Sequence, residues 1–452
     1  MKHRYERPYL KKMNVGVMNK FGNRSDFQPV KFIDGVSVKK LTDQYGSPVF
    51  VLSEKQIRKN YQSAVRSFNT RYPKVQFAWS YKTNYINAVC KVFHQEGSWA
   101  EVVSGFEYHK ALGNGIAGNH IIFNGPEKKE ADLRLAIEND SLIHIDHFEE
   151  LYKLIDISEA LNKKPRVAIR VNMDTGIYPL WDRFGFNYEN GQAWNAILKI
   201  VGLGKMRLVG LHCHIGTFML STSAYAIATS KLCDLAMKCK NQLQNPIEYL
   251  DLGGGFPSTN TLKGSYLPGV DTVPPIDDFA EAITTTILGF GFQQNELPML
   301  ILETGRALID DAGYLLGSVI ANKQLSDGRR ATILNFGVNL LFTSFWYDHH
   351  ISPAQDFTHY TEDTILYGPM CMNIDVIRQS VNLPLLNPGD LVVVHKVGAY
   401  NMTQWMQFIS TRPAVVLIDE TGQTHLIRQA ETLEYMEIPE QVPAHLQSNK
   451  IN

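Results

Sequence analysis

From about residue 47 the chain alternates short, nearly all-apolar runs with longer stretches of helical periodicity. SPVFVLS (47–53) precedes a helical stretch around KQIRKNYQSAVRSF, and VQFAWSYK (75–82) precedes YINAVCKVFHQEG. The rhythm continues through WAEVVS, HIIFNG, LIHID, PRVAIRVN, LVGLHCHIG, IEYLDLGGG and PMLILETG. Strands that are apolar throughout are buried on both faces, which marks a parallel sheet covered by helices. About eight such units over roughly 250 residues predict a closed (β/α)8 barrel rather than an open sheet.

The pattern changes after about residue 305. YLLGSVIANKQ, RATILNF, LVVVHKV, AVVLID and THLIR read as strands separated by the turn signals SDGR, NPGD and DETG. They predict a mostly antiparallel C-terminal β domain. VKFIDGVSV, near the start, does not fit the barrel rhythm. The chain therefore divides into an N-terminal segment contributing to the β domain (1–46), a barrel (47–304) and the β domain proper (305–452). Nothing near 304–310 reads as a flexible linker, so the domains should pack closely.

Composition narrows the class. The chain has 452 residues, 44% hydrophobic and 20% charged, with a formal net charge of −1. No bulk electrostatic argument favours nucleic acid or an anionic membrane. There is no apolar run of ~18 or more, so no spanning helix is expected. The basic start, MKHRYERPYLKKM, lacks the apolar core of a signal peptide and reads as a plain terminus. Cys90, Cys213, Cys233, Cys239 and Cys371 form no CxxC pair and are odd in number. That favours a reducing, cytoplasmic compartment over a disulfide scaffold or a zinc ribbon.

Functional residues of a barrel gather at the C-terminal ends of its strands. Lys82 ends VQFAWSY, where burial should lower its pKa toward the neutral amine that Schiff-base chemistry uses. A snorkelling lysine is the bland alternative. His212 and His214 in LHCHIG share a strand face; no further ligand motif accompanies them, so metal binding is disfavoured. LDLGGGFP runs a strand into three glycines, a tight turn or a phosphate cradle. It is neither GxGxxG nor a Walker loop. LILETGR offers Glu303 and Arg306, an ion pair or the two ends of a grip on a charged cofactor. GPMC presents Cys371, and VGAYN presents Tyr400.

Taken together, SYKTN, EVVSGFE, IIFNGPEK, RFGF, HCHIG, DLGGGFP, ETGR, GPMC and VGAY occur in the order found in fold-type III pyridoxal-phosphate decarboxylases. Across roughly residues 47–415 the chain resembles this family, which contains diaminopimelate and ornithine decarboxylases. The resemblance implies an alanine-racemase-like barrel plus β domain, pyridoxal 5'-phosphate as cofactor, and a homodimer with shared active sites. It implies that Lys82 carries the cofactor as a Schiff base and that His214 stacks on its ring. Thr217, where the family has serine, and the backbone of Gly254 and Gly255 would meet the phosphate. Glu303 would bind the pyridine nitrogen. Arg306 and Tyr400 would bind phosphate or the substrate carboxylate. Cys371 would reach the other subunit's site and reprotonate the carbanion left by decarboxylation. A carboxylate at the ring nitrogen makes the ring an electron sink, which suits decarboxylation.

The departures lie where the substrate's far end is read. The RPxLYxxxH-like segment of diaminopimelate decarboxylases, whose arginine would grip a distal carboxylate, here reads LLFTSFWYDHHISP, without that arginine. Met372 and Asn373 follow Cys371, so the glutamate of CES is missing. Diaminopimelate would then bury unpaired charge. Tyr347, Asp348 and His349 resemble the YDH of ornithine decarboxylases, and Asp348 could pair with a distal ammonium. Phe345, Trp346, Met372, Trp405 and Met406 suggest room for a bulkier or less charged substrate, or else interface packing. The reaction expected is α-decarboxylation of a diamino acid or a bulkier conjugated derivative. The competing classes are an amino-acid racemase on the same fold and a non-catalytic decarboxylase-like regulator.

Overall fold

The computed structural model describes residues 28–357 and 361–447; the basic start of the chain lies outside them. Eight strands form the barrel: Val75–Ser80, Trp99–Val102, Ile121–Phe123, Leu142–Ile145, Arg166–Asn172, Arg207–His212, Tyr249–Asp251 and Met299–Thr304. Each pairs in parallel with the next, and the last closes onto the first. The two-residue strand Phe186–Asn187 hangs from Arg166–Asn172.

Helices cover the outside because their apolar stripes need a partner. In Glu54–Asn69 the stripe is Ile57, Tyr61, Ala64 and Phe68, all buried. Ser53 caps this helix, its Oγ accepting the Gln56 N–H at 3.0 Å. Inside the ring, Ala78, Ile122, Leu142, Ala168, Val209, Tyr249 and Ile301 form one packed layer. Polar side chains lie close to that layer, so register decides which of them meet. Ser80 pairs with Glu101, and His212 pairs with both Asp251 and Arg170.

The second domain is built around the long strand Gly313–Gln324. Arg330–Leu334 and Leu391–His395 pair with it antiparallel. Thr361–Tyr367 and Val376–Pro384 extend the sheet on one side, Val415–Ile418 and Thr424–Arg428 on the other. The parallel pairings in it are Arg330–Leu334 with Thr361–Tyr367 and Val49–Ser53 with Val415–Ile418.

Val49–Ser53 corrects the sequence reading. Its apolar run opens the expected barrel rhythm, yet it lies in the second sheet between Gly313–Gln324 and Val415–Ile418. Periodicity cannot tell one buried strand from another, and both sheets offer it a two-sided apolar slot. Ile33, Val36, Val38 and Leu41 pack with Val49, Val51, Leu316 and Val416, so the chain from residue 33 through 53 serves this domain. No helix among the described residues is long and apolar enough to cross a membrane.

Candidate active site

A cavity of about 140 Å³ opens at the C-terminal end of the barrel strands. Eight of the residues singled out from sequence line it: Lys82, His214, Thr217, Gly254, Gly255, Glu303, Arg306 and Tyr400. They come from four strand ends and from one loop of the β domain, over more than 300 positions of chain.

Lys82 sits in the short turn Tyr81–Thr83 that ends the strand Val75–Ser80. Its Nζ lies 2.6 Å from Glu101 Oε2, with the lysine side chain one-third exposed and the glutamate wholly buried. Here the expectation of a lowered pKa is overturned. Burial does pull the ammonium down, but Glu101, Glu303 and Tyr400 outweigh it and hold the lysine above its ordinary range. The sequence reading saw the apolar strand and missed the acid on its neighbour.

The β domain is stitched to this turn. Tyr400 N–H donates to Thr83 O at 2.8 Å, Thr403 Oγ1 to Lys82 O at 2.9 Å, and Asn84 Nδ2 to Gly398 O at 3.1 Å. Tyr400 itself is held at φ +67°, left-handed backbone that a non-glycine residue rarely adopts. That strain is stored where the tyrosine faces the cavity.

His214 follows the strand Arg207–His212. Burial, then the charges of Arg170 and Lys82, push its imidazole down to about 3, so the ring is neutral. Its Nδ1 has no hydrogen-bond partner. Trp181, which the sequence reading did not single out, lies parallel to this ring at 5.5 Å and lines the cavity. The glycine turn approaches its neighbours too closely for side chains. A Cβ on Gly254 would sit 2.3 Å from Glu303 O, and one on Gly255 2.3 Å from Gly216 O.

Arg306 is buried at the other wall. Its guanidinium lies 4.6 Å from the Tyr400 ring, 5.3 Å from Tyr347, 5.7 Å from Phe218 and 5.8 Å from Trp346. It also donates to the Tyr347 hydroxyl. Tyr347 therefore braces Arg306 rather than lining the cavity.

Beneath the cavity floor, Glu303 meets a buried polar group. His212 Nε2 is 3.4 Å away, and Asn124 Nδ2 donates to Glu303 Oε1. Ligand atoms of His144, His212, Asp251 and Glu303 lie within 4.8 Å of one another, close enough to hold a metal ion. Burial pushes both imidazoles well below their ordinary range, so they are neutral. The two histidines, expected on one strand face, part company: His212 ends the strand and belongs to this buried group, whereas His214, beyond the strand end, lines the cavity.

Besides Tyr347, three predicted site residues are not brought to this cavity within one chain. Cys371 is exposed. Its turn is fixed by the buried Asp375, which accepts the N–H groups of Val338 and Met370, both at 2.8 Å. Met372 follows in the same turn. Asp348 pairs with Arg378 at 3.4 Å, not with the cavity. Trp405 also departs from expectation. It packs 6.0 Å from Phe50 and lies under Arg428 at 4.5 Å, inside the β domain.

The cavity fits the pyridoxal phosphate that the resemblance implies. It holds an amine, a neutral flat ring, a buried carboxylate, a glycine cradle and a guanidinium. Thr83 lines the cavity, and its buried Oγ1 has no hydrogen-bond partner, so it is available to a ligand.

Comparison with known proteins agrees with this geometry. The family profile for "Pyridoxal-dependent decarboxylase, pyridoxal binding domain" matches residues 55–310. Diaminopimelate decarboxylase of Methanocaldococcus jannaschii is 30% identical over 92% of this chain and 96% of its own. The Bacillus subtilis enzyme of the same name is 28% identical over 89% and 93%. The crystal structure of the M. jannaschii enzyme in complex with L-lysine superposes with a TM-score of 0.84 at 29% identity, covering 92% of this chain and 96% of that one.

Proposed function

The chain belongs to the pyridoxal-dependent decarboxylases, and from that premise we propose that its cavity removes the α-carboxylate of a diamino acid, or of a bulkier derivative of one, to leave the amine. One observation carries the residue assignment: Lys82, His214, Glu303 and Arg306, distant in sequence, line a single cavity.

Pyridoxal phosphate, when bound, supplies an electron sink for the pair left on Cα as CO2 departs. The chain's own residues do the rest. Lys82 is the amine that anchors the cofactor and exchanges with the substrate's amine. His214, neutral, offers a flat face for the ring. Glu303 holds a proton at the ring nitrogen, which keeps the sink deep. The turn at Gly254 and Gly255, with Thr217, receives the phosphate. Arg306, fixed by Tyr347 and Tyr400, binds an anionic group of cofactor or substrate. Excluding water around these charges strengthens each of them.

The proton that replaces CO2 is assigned to Cys371. Its exposure and its rigid turn suit a thiol presented to a second copy of the chain, in a homodimer with shared sites. Met372 would enter the same neighbouring site.

The substrate's far end is read by contrast. Lys82 and Arg306 are the cationic side chains lining the cavity from this chain. If Arg306 binds the cofactor, no second guanidinium among the described residues lines the cavity for a distal carboxylate. Asp348 is engaged by Arg378, which weakens it as a reader of a distal ammonium. Both points favour a less charged or bulkier far end. The second reading is meso-diaminopimelate itself, favoured by the names of the relatives.

A carbon-dioxide release screen decides between them. The cofactor-loaded protein is offered meso-diaminopimelate, lysine, ornithine, arginine and several N-conjugated diamino acids. Release from a conjugate or simple diamino acid, with diaminopimelate inert, supports the first reading. Preference for diaminopimelate replaces it with the second. Cα proton exchange without CO2 release from any of them sinks the proposed reaction.

A further inference from the structure

Asn124 lies at the end of the barrel strand Ile121–Phe123, 4% exposed, with its backbone N–H bound to Val102 O at 2.8 Å. Its side-chain amide faces two carboxylates at once. Nδ2 donates to Glu101 Oε1 at 3.1 Å and also to Glu303 Oε1. Glu101 is the residue whose other oxygen meets Lys82 Nζ at 2.6 Å. Glu303 is the residue assigned to the cofactor's ring nitrogen. One NH2 group thus bridges the two ends of the cofactor site.

We propose that Asn124 is a positioning residue that couples the carboxylate beside Lys82 to the carboxylate at the cofactor's ring nitrogen. The inference rests on the assignment of Lys82 and Glu303 to the cofactor.

The chemistry constrains the amide. A carboxylate ion only accepts hydrogen bonds, so two of them must be met by the NH2 end, whose two hydrogens serve one each. The Oδ1 end is then left buried without a partner. An orphaned amide oxygen is costly, and it is tolerated here because the two bonds at the other end go to charged acceptors, which are the stronger kind. Glu101 and Glu303 are 0% and 2% exposed, so water does not screen them from each other. Lys82, Arg170, His144, His212 and Asp251 also face this pair. The geometry assigns none of those to both carboxylates as a hydrogen-bond donor; Asn124 alone among the described residues donates to each.

A coupling residue makes a prediction that a packing residue does not. Disturbing it moves both ends of the cofactor together. Two readings report the two ends: the pH midpoint of the loaded protein's visible absorption band for the Lys82 end, and the ring-nitrogen NMR shift of 15N-labelled pyridoxal phosphate for the Glu303 end. Asn124→Asp keeps the shape and replaces the donor with an acceptor. Asn124→Ser keeps one donor. Asn124→Ala removes both.

In Asn124→Asp and Asn124→Ala the absorption midpoint should move by about one pH unit, tenfold in proton affinity, and the ring-nitrogen shift should change in the same samples. Asn124→Ser should recover one of the two readings. Movement of only one reading in both the Asp and Ala variants, or of neither, overturns the coupling. Loss of folding in all three variants, seen by circular dichroism of the cofactor-free protein, also overturns it, because the residue is then structural. So does folding without cofactor loading in all three, because it is then a binding residue. The underlying assignment fails separately: Lys82→Ala would keep the wild-type visible band, or Glu303→Gln would leave the ring-nitrogen shift in place.

Discussion

Trp181 lies flat against His214, with 5.5 Å between ring centroids and 5° between planes. Both rings line the cavity, so the imidazole proposed to carry the cofactor ring has a second aromatic surface parallel to it. Trp181 belongs to the loop after Arg166–Asn172, whose end is held by Asn172 Nδ2 to Phe184 O at 2.7 Å. An aromatic contact of this kind contributes about 0.5–1.5 kcal/mol beyond simple burial. Trp181→Ala should weaken cofactor binding roughly two- to tenfold, while Trp181→Phe keeps most of it. Spectrophotometric titration of the cofactor-free protein checks this. An alanine variant that binds as tightly as the wild type removes Trp181 from the site's support.

Lys82 anchors the proposed chemistry. Lys82→Ala should lower turnover by roughly 10³-fold or more and abolish the visible band of the loaded protein. Glu101→Gln keeps the lysine and removes the charge that holds its proton, so the band's pH midpoint should fall. Near-normal turnover in Lys82→Ala ends the Schiff-base assignment.

Cys371 makes a prediction about assembly. Cys371→Ala should slow CO2-linked turnover and allow misplaced protonation, seen as cofactor converted to its amine form. Lys82→Ala and Cys371→Ala, each impaired, should complement when mixed. With sites shared across a two-fold axis, complete exchange gives about a quarter of wild-type activity. No recovery after exchange is verified by native mass spectrometry would mean that the sites are not shared in this way.

Buried histidines set the acid side of stability. Burial pushes His349 and His395 down to about 3 from an ordinary 6.5. The unfolded chain takes up these protons near 6.5 and the folded chain does not. Their contribution is therefore complete above 6.5 and is lost progressively as the pH falls toward 3. Melting temperature should fall between pH 7 and pH 5, and His349→Gln should flatten that slope if it folds. A slope unchanged in a folded variant would falsify the assignment to His349.

The positions of Lys82, His214, Gly254, Glu303 and Arg306 were legible because each ends an apolar strand, and barrel topology sends strand ends to one face. Glu101 and Asn124 were harder to read. Each follows or interrupts an apolar run, yet nothing in WAEVVS or HIIFNG says which neighbour the polar side chain will meet. Trp181 gave no periodic signal, since it lies in a loop. Asp348 and Tyr347 suit a substrate site by residue type, and the sequence gives no sign of the partners they have in space, Arg378 and Arg306.

By itself the sequence determined that a barrel of buried parallel strands precedes a second sheet, and which strand ends gather at one cavity. Periodicity and residue type are local properties, and they suffice for that. Only the tertiary structure decided that Val49–Ser53 leaves the barrel for the other sheet. It also decided that Lys82 stays charged beside Glu101 and that Asn124 bridges Glu101 to Glu303. These outcomes depend on which strands become neighbours and in what register, because charge interactions and hydrogen bonds act over a few ångströms of space and are indifferent to distance along the chain.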